Sequence, residues 1–160
     1  MKTLINNTNL LDGELGILET HIELITRCKQ ENIKSILIFE DDVVFSKKIK
    51  DIEKFINDVP EDWDMIYFGG NHTYGKKLEH IKNDVYQLNF TVSLHCVALK
   101  NTIYDEVLNL LSKKEKQVDN YYTELQQKYN CYGFYPNLAF QTQDFSDIQN
   151  KFVDYSIFFK

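Results

Sequence analysis

The chain has 160 residues, 43% hydrophobic and 14% aromatic, with a formal charge of −6 and a pI near 5.2. This length and apolar content suit one domain spanning residues 1–160 with a real core, and they exclude a disordered polymer. The acidic balance argues against nucleic-acid binding: Lys47-Lys48 and Lys113-Lys114 are short runs that read as solvated helix faces.

No apolar stretch is long enough to cross a membrane and the N-terminus lacks an apolar signal core, so a cytoplasmic location is expected. Cys28, Cys96 and Cys131 are odd in number, widely spaced and without a C-x-x-C pair. They read as reduced thiols, not as a disulfide or zinc framework.

In chain order, Asp12-Gly13 precedes a helical pattern in which Leu15, Leu18, Ile22 and Ile25 recur at three- and four-residue spacing. Asp12 suits the cap of this helix and Glu14 its first turn. Ser35 to Phe39 is a short apolar run with β-branched residues, expected as a buried strand. Ile49, Ile52, Phe55 and Ile56 mark a second amphipathic helix that Pro60 closes. Asp64 to Gly70 reads as another buried strand ending in a flexible turn, and residues 71–84 as a polar loop. Val85 to Phe90 and Val92 to Leu99 are two strands joined by a bend or hairpin. Asn101 caps a helix carrying Ile103, Val107, Leu110 and Leu111, and Val118 to Tyr129 is a further helix. Cys131 to Gln141, with Gly133 and Pro136, is expected as an edge strand or extended segment. Strands alternating with helices predict an α/β layered domain with a mixed sheet.

The residues best suited to chemistry are Glu40, Asp41 and Asp42, where three neighbouring carboxylates interrupt an apolar run. Such charges repel, and holding them away from water is costly unless a cation or hydrogen-bond donors compensate. The end of a strand is also where an open α/β sheet usually carries its ligand. Alternation along a strand puts Glu40 and Asp42 on one side and Asp41 on the other. Two oxygen donors suit Mg²⁺ or Mn²⁺, which could bridge a diphosphate and neutralise charge as it leaves. A solvated acidic turn capping a following helix explains the triad equally well. A receiver-type phosphoacceptor site also pairs acids after a strand, but its acceptor Asp ends a later strand, whereas Asp64 begins one. His21, alone on an apolar helix face, reads as a core residue; His95 lies in a strand pattern, and His72 and His80 in a loop. Asp147 could close a site from the C-terminal side, and an Asx-type turn is its simpler role.

Several motifs follow one another in order: Gly13-Glu-Leu-Gly-Ile-Leu-Glu-Thr-His21, Leu37-Ile-Phe-Glu-Asp-Asp-Val43 and Trp63-Asp-Met-Ile-Tyr-Phe-Gly69. Ser93-Leu-His-Cys-Val-Ala-Leu-Lys100, Val118-Asp119, and Gln141 with Phe145-Ser-Asp-Ile148 come after them. This set resembles glycosyltransferase family 25, the lipopolysaccharide-synthesis and collagen galactosyltransferase group, over roughly residues 12 to 150.

The resemblance implies a GT-A-like α/β fold with a mixed, mostly parallel sheet flanked by helices. It implies an inverting transfer of a hexose from a UDP-sugar to a glycan or protein acceptor, with Mn²⁺ or Mg²⁺. On this basis Asp42 and Glu40 contact the metal, and Glu40 and Asp41 help hold the ribose or the metal's waters. Asp119 becomes the candidate base for the acceptor hydroxyl, with a helix cap as its plain alternative. Gly69 and Gly70 could let backbone approach the bound sugar, although a turn explains them too.

The chain departs from the family pattern at its start: twelve residues precede Gly13, so the family's first strand-helix unit is expected to be missing or reduced. Ile17 and Thr20 stand where the family carries Cys and Ser. A shortened sheet predicts exposed apolar surface and a homo-oligomer that covers it. The alternative function is a catalytically impaired relative serving as a glycan-binding or oligomerising module.

Overall fold

In the computed structural model, residues 9–72 and 78–141 are described, together with the backbone of Asp144–Ser146 and Lys151–Val153; Asp147 lies outside the described residues. Helix α1 (Asp12–Gln30) buries Leu18, His21, Ile25 and Cys28 along one face. Its start is held by Glu14, whose carboxylate accepts the Leu11 N–H at 2.9 Å, while Asp12 is already helical. Asn32, at φ 56°, then turns the chain into β1 (Ser35–Phe39).

The remaining elements are β2 (Val43–Phe45), a 3₁₀ turn leading into α2 (Ile52–Asp58), β3 (Met65–Asn71), β4 (Glu79–Lys82), β5 (Val85–Gln87) and β6 (Val92–Lys100). They continue with α3 (Tyr104–Leu111), α4 (Val118–Leu125), β7 (Cys131–Phe134), β8 (Ala139–Gln141), β9 (Asp144–Ser146) and β10 (Lys151–Val153). The main sheet has the order β1-β6-β3-β7-β5-β4; β2 pairs with β8, and β9 with β10.

The chain is α/β, but the sheet corrects the expectation of mostly parallel strands. Only β3 and β7 run parallel; β1/β6, β6/β3, β7/β5 and β5/β4 are antiparallel. The apolar runs of β3 and β6 arise from burial on both faces, which parallel strands usually show but do not monopolise; Ser35–Phe39, expected as a buried strand, is instead an edge strand in which Ile38 is buried and Leu37 and Phe39 are exposed. All seven residues of β3 are buried, as are six consecutive residues of β6. Other expectations also shift: Asn101 opens a 3₁₀ turn, and α3 begins at Tyr104 after Ile103, so Asn101 is not its cap. Residues 79–82 form a strand, and β5 pairs with β4 and β7, not with β6. Cys131–Phe134 is an interior strand buried along its length, with Pro136 following it outside the ladder. The last long helix stops at Leu125 instead of Tyr129.

Two apolar layers sandwich the sheet. Leu18 and Ile25 of α1, Val107 and Leu111 of α3, and Tyr121, Tyr122 and Leu125 of α4 pack on Tyr67, Val97 and Leu99. On the other face Phe55 and Val59 meet Ile66, Phe68, Cys96, Phe134, Leu138 and Ala139. All three cysteines are buried and free, and burial pushes the Cys96 thiol up to about 12. β1 lies at the edge of the sheet, and its Leu37 and Phe39 are exposed along with Val44 and Phe45 of β2. Among the described residues no helix is long and apolar enough to cross a membrane.

Candidate functional site

The ladder between β1 and β6 runs one step past β1, because the Glu40 N–H donates to the His95 carbonyl at 3.0 Å. The chain then turns at once: the Val43 N–H donates to the Glu40 carbonyl at 3.3 Å. β2 leaves this turn paired with β8, and the pair Val43↔Gln141 sets Gln141 beside the acids. Gln141 Nε2 donates to Glu40 Oε2 at 2.7 Å and lies 3.4 Å from Asp42 Oδ2. Asp41 is exposed while Glu40 and Asp42 are half-buried. The two-and-one division of the triad is therefore present, produced by a tight turn instead of a continuing strand.

Asp119 joins the cluster from the first turn of α4. Burial raises its carboxyl above the usual range, opposed by the backbone N–H groups of Asn120, Ser93 and Asp119 itself. Asp119 thus braces the helix start and is tied to β6 at the same time. Ser93 aims its N–H there from a left-handed conformation, φ 67°, which is strained for a residue with a side chain. Glu40 is held up to about 7, by burial first and then by Asp42, Asp119 and Asp41; the Gln141 hydrogen bond pulls the other way.

Gly69 and Gly70 lie in β3 and are buried. A Cβ on Gly69 would stand 2.2 Å from both the Ala139 carbonyl oxygen and His95 Nε2. Its absence lets the 137–139 segment cross the sheet closely. Leu138 N–H donates to the Phe68 carbonyl at 2.8 Å, Asn137 Nδ2 to the Gly70 carbonyl at 3.0 Å, and His95 Nε2 to the Ala139 carbonyl at 3.2 Å. A Cβ on Gly70 would meet Thr91 Cγ2 at 2.7 Å. These glycines set the seat of β8, and so the reach of Gln141.

A family model, glycosyltransferase family 25 (LPS biosynthesis protein), matches residues 1–135, a stretch that contains Glu40, Asp41, Asp42, Gly69, Gly70 and Asp119. The chain belongs to glycosyltransferase family 25. No curated protein matches it. Among solved structures, the crystal structure of apo-UDP-glucose pyrophosphorylase is similar at 9% identity with a TM-score of 0.40. That match covers 69% of this chain and 50% of the other, so the chain spans about half the length of that structure.

The other candidates of this family 25 chain are occupied elsewhere. His21 Nδ1 hydrogen-bonds the Tyr122 hydroxyl at 3.0 Å inside the core, and His72 Nδ1 the Thr91 hydroxyl at 3.1 Å. His80 donates to the Asn83 carbonyl at 2.7 Å on the surface. Asp64 accepts from the Thr102 hydroxyl and the Asn130 N–H, which pins the starts of neighbouring elements. A cleft of about 340 Å³ lined by Gln87, Asn89, Gln126 and Tyr129 contains none of the acids. Among the described residues no group of three or more His, Cys, Asp and Glu side chains is arranged to hold a metal ion. The Glu40–Asp42 pair is joined by the side-chain amide of Gln141.

Proposed function

We propose that this family 25 member is a metal-dependent, inverting hexosyltransferase that moves a hexose from a UDP-sugar to a glycan or protein acceptor. The observation that carries this is the convergence of Glu40, Asp42 and Asp119 beside the end of β1. Neighbouring half-buried carboxylates are costly to hold charged, and hard oxygen donors of this kind fit Mn²⁺ or Mg²⁺. Asp42 and Glu40 are the residues to hold the ion, and exposed Asp41 is placed to take the ribose or metal-bound waters. When bound, the ion supplies positive charge to the departing diphosphate.

Asp119 takes the proton of the acceptor hydroxyl. The acceptor oxygen forms its bond to the anomeric carbon as the bond to the diphosphate breaks on the opposite face, which inverts that carbon. The raised pKa of Asp119, a consequence of burial, makes it a better base than a free aspartate.

Calorimetric titration of UDP in the presence of Mn²⁺ tests this. Wild type binds, Asp42→Asn binds at least about tenfold more weakly, and Asp119→Asn keeps UDP binding while losing about 10²–10⁴-fold in transfer rate. Absence of UDP binding by wild type, under conditions where a longer family member binds, refutes the donor site. A non-catalytic binding or oligomerising role is the second reading, supported by the exposed strip of Leu37, Phe39, Val44 and Phe45. UDP-sugar hydrolysis that depends on Asp42 rules it out.

A further inference from the structure

We propose that the cleft of about 340 Å³ beyond the end of α4 binds a neutral sugar unit of the acceptor glycan. Only the word acceptor rests on the transfer reading above; the cleft takes its sugar without UDP or metal.

The walls come from two separate stretches of chain. Glu79 of β4 and Gln87 of β5 stand opposite each other in the ladder, Asn89 follows β5, and Tyr129 follows α4. The floor is buried and fixed. Leu88 N–H donates to the Cys131 carbonyl at 2.8 Å, and Gln126 spends its amide on Thr91 and Tyr67. A pocket formed before its ligand arrives loses little entropy on binding.

The lining selects the ligand. Among the described residues no hydrogen bond engages the side-chain amides of Gln87 and Asn89 or the Glu79 carboxylate. An amide offers donors and an acceptor together, and a carboxylate accepts more than one hydroxyl, which matches neighbouring hydroxyls on a sugar ring. The half-buried ring of Tyr129 offers an apolar surface to the C–H face of such a ring. The charges argue against an anion. Lys128 lines the cleft but is paired with Glu106 at 3.1 Å, and Glu79 repels a phosphate or carboxylate. The end of α4 adds its own preference, because the last carbonyls of a helix favour a hydroxyl donor over a negative charge.

The cleft is joined to Asp119 along α4. Gln127 Nε2 donates to the Asn89 carbonyl, Gln126 holds both backbone groups of Thr91, and the Ser93 N–H reaches Asp119, so residues 89–93 run beside the helix from end to end. Asp119 and Gln126 are seven residues apart, about 10 Å along the axis at about 1.5 Å per residue. A short oligosaccharide seated in the cleft spans that length and brings its end to Asp119.

The test probes an array of neutral, sialylated and phosphorylated oligosaccharides with the full chain, in EDTA and without UDP. Neutral members should be retained ahead of the acidic ones. Calorimetry on the best-retained neutral oligosaccharide should show Gln87→Ala and Asn89→Ala each weakening binding about fivefold, the loss of one neutral hydrogen bond. Both changes leave the backbone pairing in place, and circular dichroism checks the fold; Tyr129→Leu, which removes the aromatic face, carries the test should either fail to fold. In transfer from a UDP-hexose, Gln87→Ala should raise KM for that glycan and spare kcat. If no neutral member is retained, or the folded variants bind within twofold of wild type, the cleft is not a sugar site, whatever UDP does. If neutral glycans bind while wild type fails to bind UDP with Mn²⁺, the transfer reading falls and the cleft stands as a glycan site without an acceptor role.

Discussion

Replacing Gly69 by alanine tests whether close packing at β3 controls the distant acids. The new Cβ would lie 2.2 Å from the Ala139 carbonyl oxygen and from His95 Nε2, and 2.9 Å from the Ala139 carbonyl carbon. Two of these atoms are backbone, so the relief must come from moving β8 and its hydrogen-bonded neighbours. Overpacking of a tight core costs about 1–3 kcal/mol, and losing the His95–Ala139 hydrogen bond adds about 1 kcal/mol. For a chain of this length each kcal/mol lowers Tm by about 2–4 °C, so Gly69→Ala should melt roughly 5–15 °C below wild type. Because Gln141, which donates to Glu40, lies two residues beyond Ala139, the Mn²⁺ affinity proposed for the acids should fall as well.

Gly16→Ala is the internal control. A Cβ at Gly16, an exposed position in α1, has nothing within 4 Å, so the same substitution should stabilise by about 0.5–1 kcal/mol. Thermal melts by circular dichroism with parallel Mn²⁺ titrations decide the matter. A Gly69→Ala variant that melts within 2 °C of wild type and binds Mn²⁺ unchanged refutes the idea that this glycine seats β8.

Gln126 is buried and serves three groups: it accepts from the Thr91 N–H at 2.6 Å and donates to the Thr91 carbonyl and the Tyr67 hydroxyl, each at 2.9 Å. Gln126→Ala should therefore cost about 2–4 kcal/mol in urea denaturation, because buried Thr91 loses partners for both of its backbone groups. Acid should destabilise the fold well above the carboxylate range. His21 and His72 are both lowered to about 4, by burial first, from an unfolded value of 6.5. Both folded pKa values are depressed, so their neutral forms contribute stability that is complete above about 6.5 and lost as pH falls through about 4. Between pH 7 and pH 5 this amounts to about 2 kcal/mol per histidine. A urea midpoint that stays constant across that interval would contradict the buried, neutral state of these rings.

The acids were legible in the sequence and their partners were not, for a physical reason. Glu40, Asp41 and Asp42 announce themselves because charge interrupts an apolar run, and local turn geometry alone separates Asp41 from the other two. The helices were legible for the same reason: α1, α3 and α4 each bury one face at helical spacing. Strand direction was not, since β3 and β6 are buried on both faces and a two-sided apolar run carries no mark of its neighbour's sense. Gln141 and Glu40 are 101 positions apart, and their contact depends on β2 pairing with β8, two strands of only three residues each.

No local pattern in Ala139-Phe140-Gln141 indicates that pairing. The nearest local clue lies in Gly69-Gly70, which a sequence reader takes for a flexible turn. In the fold these glycines lie within a fully buried strand, and the space they leave is filled by Ala139, His95 and Thr91. The freedom glycine offers is used here for close approach of one chain segment to another, and it is this approach that carries Gln141 to the acidic turn.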